Sequence, residues 1–600
     1  MYLFFKYLHV TLLTILILIN PIIFLNDEWI STSQLSQLSQ HHQILYNEGK
    51  YGFFQNETPN SYFSSRNNML PYTSFIPLIS YPFLLITKFL GDVIPYYVSL
   101  AFSGILIIFA LSLNMTKRAQ LSYLLIFFSF TVLLLNIFFF KPINISSDSV
   151  HFEVFAIVLM NMFFFLCLIG IVYIIFKNLL SDPLYAVFGT YVSIACSSYL
   201  FWVNTCKDHL VTATMFAMTI LFLTLYIQKS DQWYLFSSFI CTGLLAWIRP
   251  EVGAFIFLIM VFLLLFFYFT NNFQFQPNKR TIFLFLCPIG TIIGIIPLFI
   301  SNILVTGHPL VLPFQLLKNY SNNQDFSTNS TLTVSQVPET QDMSASGFSD
   351  SILSILYNVV ERIMPDVPMD TFLGNVYGVF ISPSTLKVPV LAIVPIFLIG
   401  IGFLPKIYSI IHENKKNEST IIFSLLMVSV GIFCAYLTSI AGLHTSIGIF
   451  PDVRYLSPVY IPLNIIGILL VSKVFNKQII HQILQFSVLF SVIGPVIILF
   501  ILFLVNNTID FWSVFLWMNG IITLLIYLVM LLFFIFLVGW YAHKIDNGIL
   551  VYPISFLIAL PLIWQISMIL IIQCYLDTPY YYPPLLPIVR EFLPWIAGFQ

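Results

Sequence analysis

The chain has 600 residues, of which 59% are hydrophobic and 8% charged, and its net charge is -1. Soluble domains carry about 25% charged residues, so this composition excludes a water-covered surface and makes lipid the solvent. The near-zero net charge gives no pull toward nucleic acid, and the 7 cysteines show neither a CxxC pair nor metal-type spacing.

A membrane helix needs roughly 20 apolar residues. On that ruler the sequence predicts about fifteen spans, at 7–26, 95–113, 120–140, 153–176, 184–203, 209–228, 233–248, 252–270, 282–304, 388–405, 420–440, 456–474, 483–505, 513–540 and 549–573. The first is read as an uncleaved span, since Lys6 and a long apolar run lead to Leu25 with no small-x-small site after it. The run 74–90 is interrupted by Pro77 and Pro82 and is read as a juxtamembrane helix at the outer interface. The fold class is thus an all-α polytopic membrane protein, a single membrane domain over 1–600.

Orientation follows from the cations. With the N-terminus inside, the inner connections carry Lys117 and Arg118, Lys177, Lys229, Lys279 and Arg280, Lys406 with Lys415 and Lys416, Lys477, and Lys544. Such an inner bias places the N-terminus in the cytoplasm and the C-terminus outside. Two large outer loops result, 27–73 and 305–387, the second partly flexible through its Ser/Thr/Asn/Gln-rich stretch. The tail 577–600, rich in Pro and Tyr, also falls outside. Asn56, Asn144, Asn329 and Asn506 head Asn-x-Ser/Thr sequons in outer loops.

Polar chemistry gathers on that outer face. Asp27-Glu28 directly follows the first span, where a carboxylate partly shielded from water gains basicity and becomes a competent general base. Lys207-Asp208-His209 lies at another outer helix end, Arg249-Pro250-Glu251 at the tip of a helix hairpin, and Asp452-Val453-Arg454-Tyr455 at the opening of a late span. Each has a plainer reading. Acidic residues often start a solvated loop, Asp208 would serve as an outer cap, Arg249 would snorkel to headgroups, and Arg454 would pair with Asp452. Asp148, His151 and Glu153 make a further outer polar cluster.

The order of these elements resembles the GT-C superfamily of integral membrane glycosyltransferases, which includes the protein O-mannosyltransferases and the aminoarabinose transferases of lipid A. The resemblance starts at Asp27-Glu28 and runs through Glu48-Gly49-Lys50-Tyr51-Gly52-Phe53, Leu70-Pro71-Tyr72 and the Pro-containing helix ending at Lys88. It continues through Asn204 to His209, Trp247 to Gly253, Thr306 to Leu310, and Arg454-Tyr455-Leu456-Ser457-Pro458. The match spans about 430 residues in order, from 27 to 458. The departure is Trp29 after the acidic pair, which leaves the subfamily open.

The resemblance implies a GT-C-like fold and transfer of a sugar from a polyprenyl-phosphate or diphosphate donor to a protein, lipid or glycan acceptor, with inversion. It implies Asp27 as general base with Glu28 beside it, Asp208 and His209 at an acceptor or divalent metal, and Arg249, Arg454 and Lys207 on the donor phosphate. Many members of the family need no metal, so a metal is left open. Two other classes use similar lipids: a flippase for lipid-linked sugars and a surface polysaccharide polymerase or ligase. A transporter favours charges near the bilayer midplane and inverted repeats, and the sequence shows neither.

Overall fold

The computed structural model describes residues 2–25, 28–45, 70, 72–114, 119–143, 152–270, 279–313, 368–382, 387–406, 416–437, 451–505, 511–575 and 584–596. Asp27, Asp148 and His151, most of the two large outer loops, and the four outer sequons lie outside them.

Among the described residues the chain is helical, with two isolated β-bridges, Ile22 with Thr205 and Val388 with Asp452. Helices α1 (Tyr2–Leu18), α2 (Glu28–His41), α3 (Phe75–Leu90), α4 (Ile94–Asn114), α5 (Ala119–Phe138), α6 (Phe152–Leu180) and α7 (Pro183–Ala195) come first. Then come α8 (His209–Lys229), α9 (Gln232–Ile248), α10 (Pro250–Thr270), α11 (Lys279–Leu286), α12 (Ile289–Thr306) and α13 (Met369–Phe380). The chain ends with α14 (Pro395–Gly402), α15 (Lys416–Ala435), α16 (Tyr460–Val474), α17 (Lys477–Val505), α18 (Phe511–Tyr541), α19 (Asn547–Tyr575) and α20 (Pro587–Ile596).

Eleven helical segments among the described residues are long and apolar enough to cross a membrane. The chain is therefore a polytopic all-α membrane protein, as its composition requires. Fifteen spans were expected, and four of those stretches are shorter or broken. α1 and α9 have 17 residues each. The stretch 184–203 yields α7, a break at Ser197-Ser198 and one turn at Tyr199–Trp202; 388–405 splits at Val394 into Val390–Ile393 and α14. Apolar runs report where lipid or core surrounds the chain, but they pass over breaks like these. α3 also runs on through a tight turn at Gly91–Val93 into α4, and Gly91 supplies the left-handed φ of 57° that ends α3.

Packing sets the positions. α9 and α12 meet backbone to backbone, because a Cβ on Gly243 would stand 2.3 Å from the Thr291 carbonyl oxygen and one on Gly294 would stand 2.1 Å from that of Ile240. Small residues at such crossings let helices approach closely in lipid, where dispersion replaces the hydrophobic drive. α8 and the segment containing α16 are central, with 78% and 89% of their spanning windows buried by protein, against 22% for α5. The two central segments carry His209 and Arg454 at their starts. Lys229 lies at the far end of α8, opposite His209.

The sidedness has a direct test. Ser61→Cys and Ser346→Cys, both outside the described residues, should each react with a membrane-impermeant maleimide added outside intact cells. Protection of either one until the cells are opened breaks the common outer placement of the two loops.

Candidate functional site

The site is assembled around the turn 203–208 between the Tyr199–Trp202 helix and α8. Polar side chains from two other elements pin this turn. Asn161, inside the apolar run of α6, donates from Nδ2 to the carbonyls of Thr205 at 2.7 Å and Lys207 at 3.1 Å. Glu28, at the start of α2, accepts from the Cys206 amide at 2.7 Å and from the Leu25 amide at 3.0 Å. The chain after α1 also joins the turn, with the Ile22 amide donating to the Asn204 carbonyl at 2.9 Å. Each bond satisfies a backbone group that burial would otherwise leave unmatched.

On this turn stands Asp208, and Arg249 reaches it from the α9–α10 corner. Arg249 donates from Nε and from Nη2 to the two carboxylate oxygens, at 2.6 Å each, a bidentate fork. Its Nη1 donates to the Tyr436 hydroxyl at 2.8 Å, and its Nη2 stands 3.0 Å from His209 Nδ1. The side chains of Arg249 and Asp208 keep 10% and 18% of their surface. Burial alone would push the Asp208 carboxyl up, but the charge and hydrogen bonds of Arg249, helped by Lys207, hold it below the usual carboxylate range. Snorkelling to headgroups is not what Arg249 does here; its fork is closed on protein groups.

The segment 452–460 packs against the same groups. Tyr455 stacks on Tyr436 with centroids 5.1 Å apart. Both arginines stand over the Tyr455 ring, Arg249 Cζ at 5.2 Å and Arg454 Cζ at 5.3 Å from its centroid. Asp452 does not close on Arg454. Its carboxylate accepts from Trp202 Nε1 at 3.1 Å and from the Tyr460 hydroxyl at 2.9 Å. Burial pushes the Asp452 carboxyl above its ordinary value, against these hydrogen bonds and the Arg454 charge. Arg454 is 5% exposed, and its Nε and Nη1 have no hydrogen-bond partner among the described residues.

Of the residues singled out in the sequence, the structure thus brings Glu28, Lys207, Asp208, His209, Arg249 and Arg454 to one end of the bundle. Lys207 lies with its ammonium 5.4 Å from the Tyr72 ring centroid. Asp27 lies outside the described residues, and its neighbour Glu28 is fully buried. α3 reaches the same corner. Its first residue, Phe75, meets the Trp247 ring edge-on at 4.9 Å, and Thr73 donates to the Ile248 carbonyl at 3.3 Å. Among the described residues no group of three His, Cys, Asp or Glu side chains is placed to hold a metal ion.

The sequence reading missed Tyr436, Trp202, Tyr460 and Asn161. Asn161 had a signal, because an amide inside an apolar run is expensive in the membrane unless a partner is waiting. The aromatic residues had none, since aromatics make up 17% of this chain.

No protein-family model matches the chain, and no curated protein matches it. Two solved structures are similar in outline. The crystal structure of ArnT from Cupriavidus metallidurans bound to undecaprenyl phosphate aligns with a TM-score of 0.44 at 10% identity, covering 94% of this chain and 76% of that one. The same protein in the apo state aligns with a TM-score of 0.33 at 12% identity, covering 73% of this chain and 65% of that one. Likeness this remote does not bear on what the chain acts on.

Proposed function

We propose that this chain is a glycosyltransferase of the GT-C kind, which moves a sugar from a polyprenyl-phosphate donor to an acceptor hydroxyl at the outer membrane face. The observation that carries the reading is Arg454: a buried guanidinium with unpartnered nitrogens, beside the Asp208–Arg249 pair, at the bundle end where Glu28 lies. Buried guanidinium nitrogens without a hydrogen-bond partner among the described residues are costly, and a lipid phosphate at the membrane surface offers the acceptor oxygens and negative charge to meet them. The order of motifs from Asp27 to Pro458 supports the same reading.

The mechanism has one displacement. The acceptor oxygen forms a bond to the anomeric carbon, and the bond from that carbon to the phosphate oxygen breaks. The bonding pair leaves with the polyprenyl phosphate, whose added charge Arg454 receives. The acceptor's proton passes to Asp27 as general base. Attack opposite the leaving phosphate inverts the anomeric centre. Glu28 keeps both carboxylate oxygens on backbone amides, so its role is to hold the turn under Asp208. Arg249 is occupied by Asp208, Tyr436 and His209 and orients the site, with Lys207 nearby adding positive charge.

The test is release of polyprenyl phosphate from a panel of polyprenyl-phosphate sugars by the purified chain in lipid nanodiscs. Asp27→Asn keeps the side chain's shape and removes its basicity, so turnover should fall about 100-fold while the thermal transition stays where it was. Movement of intact lipid-linked sugar across vesicles, with no release of polyprenyl phosphate, would replace the transferase with a flippase.

A further inference from the structure

Two sets of buried donors around Tyr455 have no acceptor among the described residues: Nε2 of His209, and Nε with Nη1 of Arg454. His209 is 1% exposed. Its protonation is decided by its other ring nitrogen, which stands 3.0 Å from Arg249 Nη2. A guanidinium has donors and no acceptor. His209 Nδ1 must therefore accept, which leaves it without a proton and places the imidazole's one proton on Nε2. The side chain is a neutral donor, fixed in one tautomer.

The surroundings hold that state in place. Asp208 grips the same guanidinium at two nitrogens and Tyr436 takes a third, so Arg249 cannot turn away from the histidine without breaking several bonds. The Trp202 ring lies 4.7 Å from the imidazole and Tyr455 lies 6.1 Å from it. Arg454 shares the Tyr455 ring, close enough for its charge to act on His209. Asp452 turns its carboxylate to Trp202 and Tyr460, and Lys207 contributes no acceptor. Among the described residues the frame therefore presents donors on two residues and no oxygens that meet them.

One ligand with several acceptor oxygens resolves both. We infer that His209 is a fixed, neutral Nε2–H donor to the phosphate of the lipid donor, acting beside Arg454. The inference rests on the transferase reading and gives His209 a role on the phosphate, where the sequence pointed to an acceptor or a metal. A phosphate ester fits because it offers acceptor oxygens and takes charge-assisted bonds.

Farnesyl phosphate and farnesol are the probes, titrated into the full-length chain in nanodiscs. The parent should bind the phosphate more tightly than the alcohol. His209→Asn keeps an oxygen near the Nδ1 position for Arg249 and has no donor at the Nε2 position. It should bind farnesyl phosphate about tenfold more weakly, the size of one charge-assisted bond, with farnesol unchanged. His209→Gln, whose amide nitrogen reaches the Nε2 position, should keep most of the phosphate preference. Equal binding of farnesyl phosphate by His209→Asn and the parent overturns the inference alone. A parent that does not distinguish phosphate from alcohol overturns the transferase reading, and the inference with it. Should His209→Asn not fold, the parent labelled with ¹⁵N-histidine decides, with H209Q used to assign the signal. A proton on Nε2 that responds to farnesyl phosphate supports the inference, and a proton on Nδ1, or no response, overturns it.

Discussion

Asp208→Asn should destabilise the folded chain by about 3–5 kcal/mol, because it leaves the buried Arg249 guanidinium without its counterion. The geometry makes the loss large: the carboxylate accepts from two guanidinium nitrogens at 2.6 Å, and an amide offers only one neutral oxygen in its place while its NH2 faces the other nitrogen donor to donor. Replacing both partners, Asp208→Leu with Arg249→Met, should recover most of the stability, since it removes the stranded charge as well as the pair. The same pair sets a pH dependence. The Asp208 carboxyl is depressed in the folded chain despite its burial. Its contribution is therefore complete above the ordinary carboxylate value of about 3.9 and is lost as pH falls through the lower folded value. Equilibrium unfolding of the parent and variants in lipid-detergent micelles, at neutral pH and along an acid series, reads both effects. An Asp208→Asn variant as stable as the parent would show the pair to be a solvated surface contact.

Arg454→Ala should abolish most donor use, with turnover at limiting polyprenyl-phosphate sugar falling by about 100-fold or more. Each hydrogen bond to a charged group is worth about 1.5–3 kcal/mol, and two unpartnered nitrogens are available to make one each. The effect on stability should be smaller than that at Asp208, because the two nitrogens removed have no partner among the described residues and Asp452 keeps its bonds to Trp202 and Tyr460. Arg454→Lys separates the phosphate role from simple charge. A lysine ammonium keeps the charge but cannot copy the planar fork or its stacking on Tyr455, so most of the loss should persist. Full activity in Arg454→Lys would reduce the residue to a cation in the right region. Full activity in Arg454→Ala would remove the phosphate site from this residue. The measurements are kcat/KM for the donor and the thermal transition of each variant without donor.

Much of the architecture was legible because a bilayer imposes its demand one segment at a time. An apolar run of the right length must be surrounded by lipid or core whatever its neighbours are, so the spans around α8, α10, α15, α16, α18 and α19 stood in the sequence. Alternation of spans then put Glu28, Asp208, Arg249 and Arg454 on one predicted face, and the structure gathers them at one end of the bundle. Breaks were harder to see. Ser197-Ser198 and Val394 interrupt stretches that remain apolar across the break, so composition passes over them.

Pairing of charges belonged to the tertiary structure alone. Asp452 lies two residues from Arg454, and proximity in sequence suggested a pair. Trp202, 250 residues away, takes one of its oxygens, and Tyr460 takes the other. Arg249 finds its carboxylate 41 residues back, on the turn before α8. Glu28, read in the sequence as a partner in catalysis, spends both oxygens on amides, one of them 178 residues away at Cys206. Hydrophobic length is a local property, summed along the chain. A hydrogen bond needs two groups within about 3 Å of each other, and which groups come that close is fixed by how the helices cross.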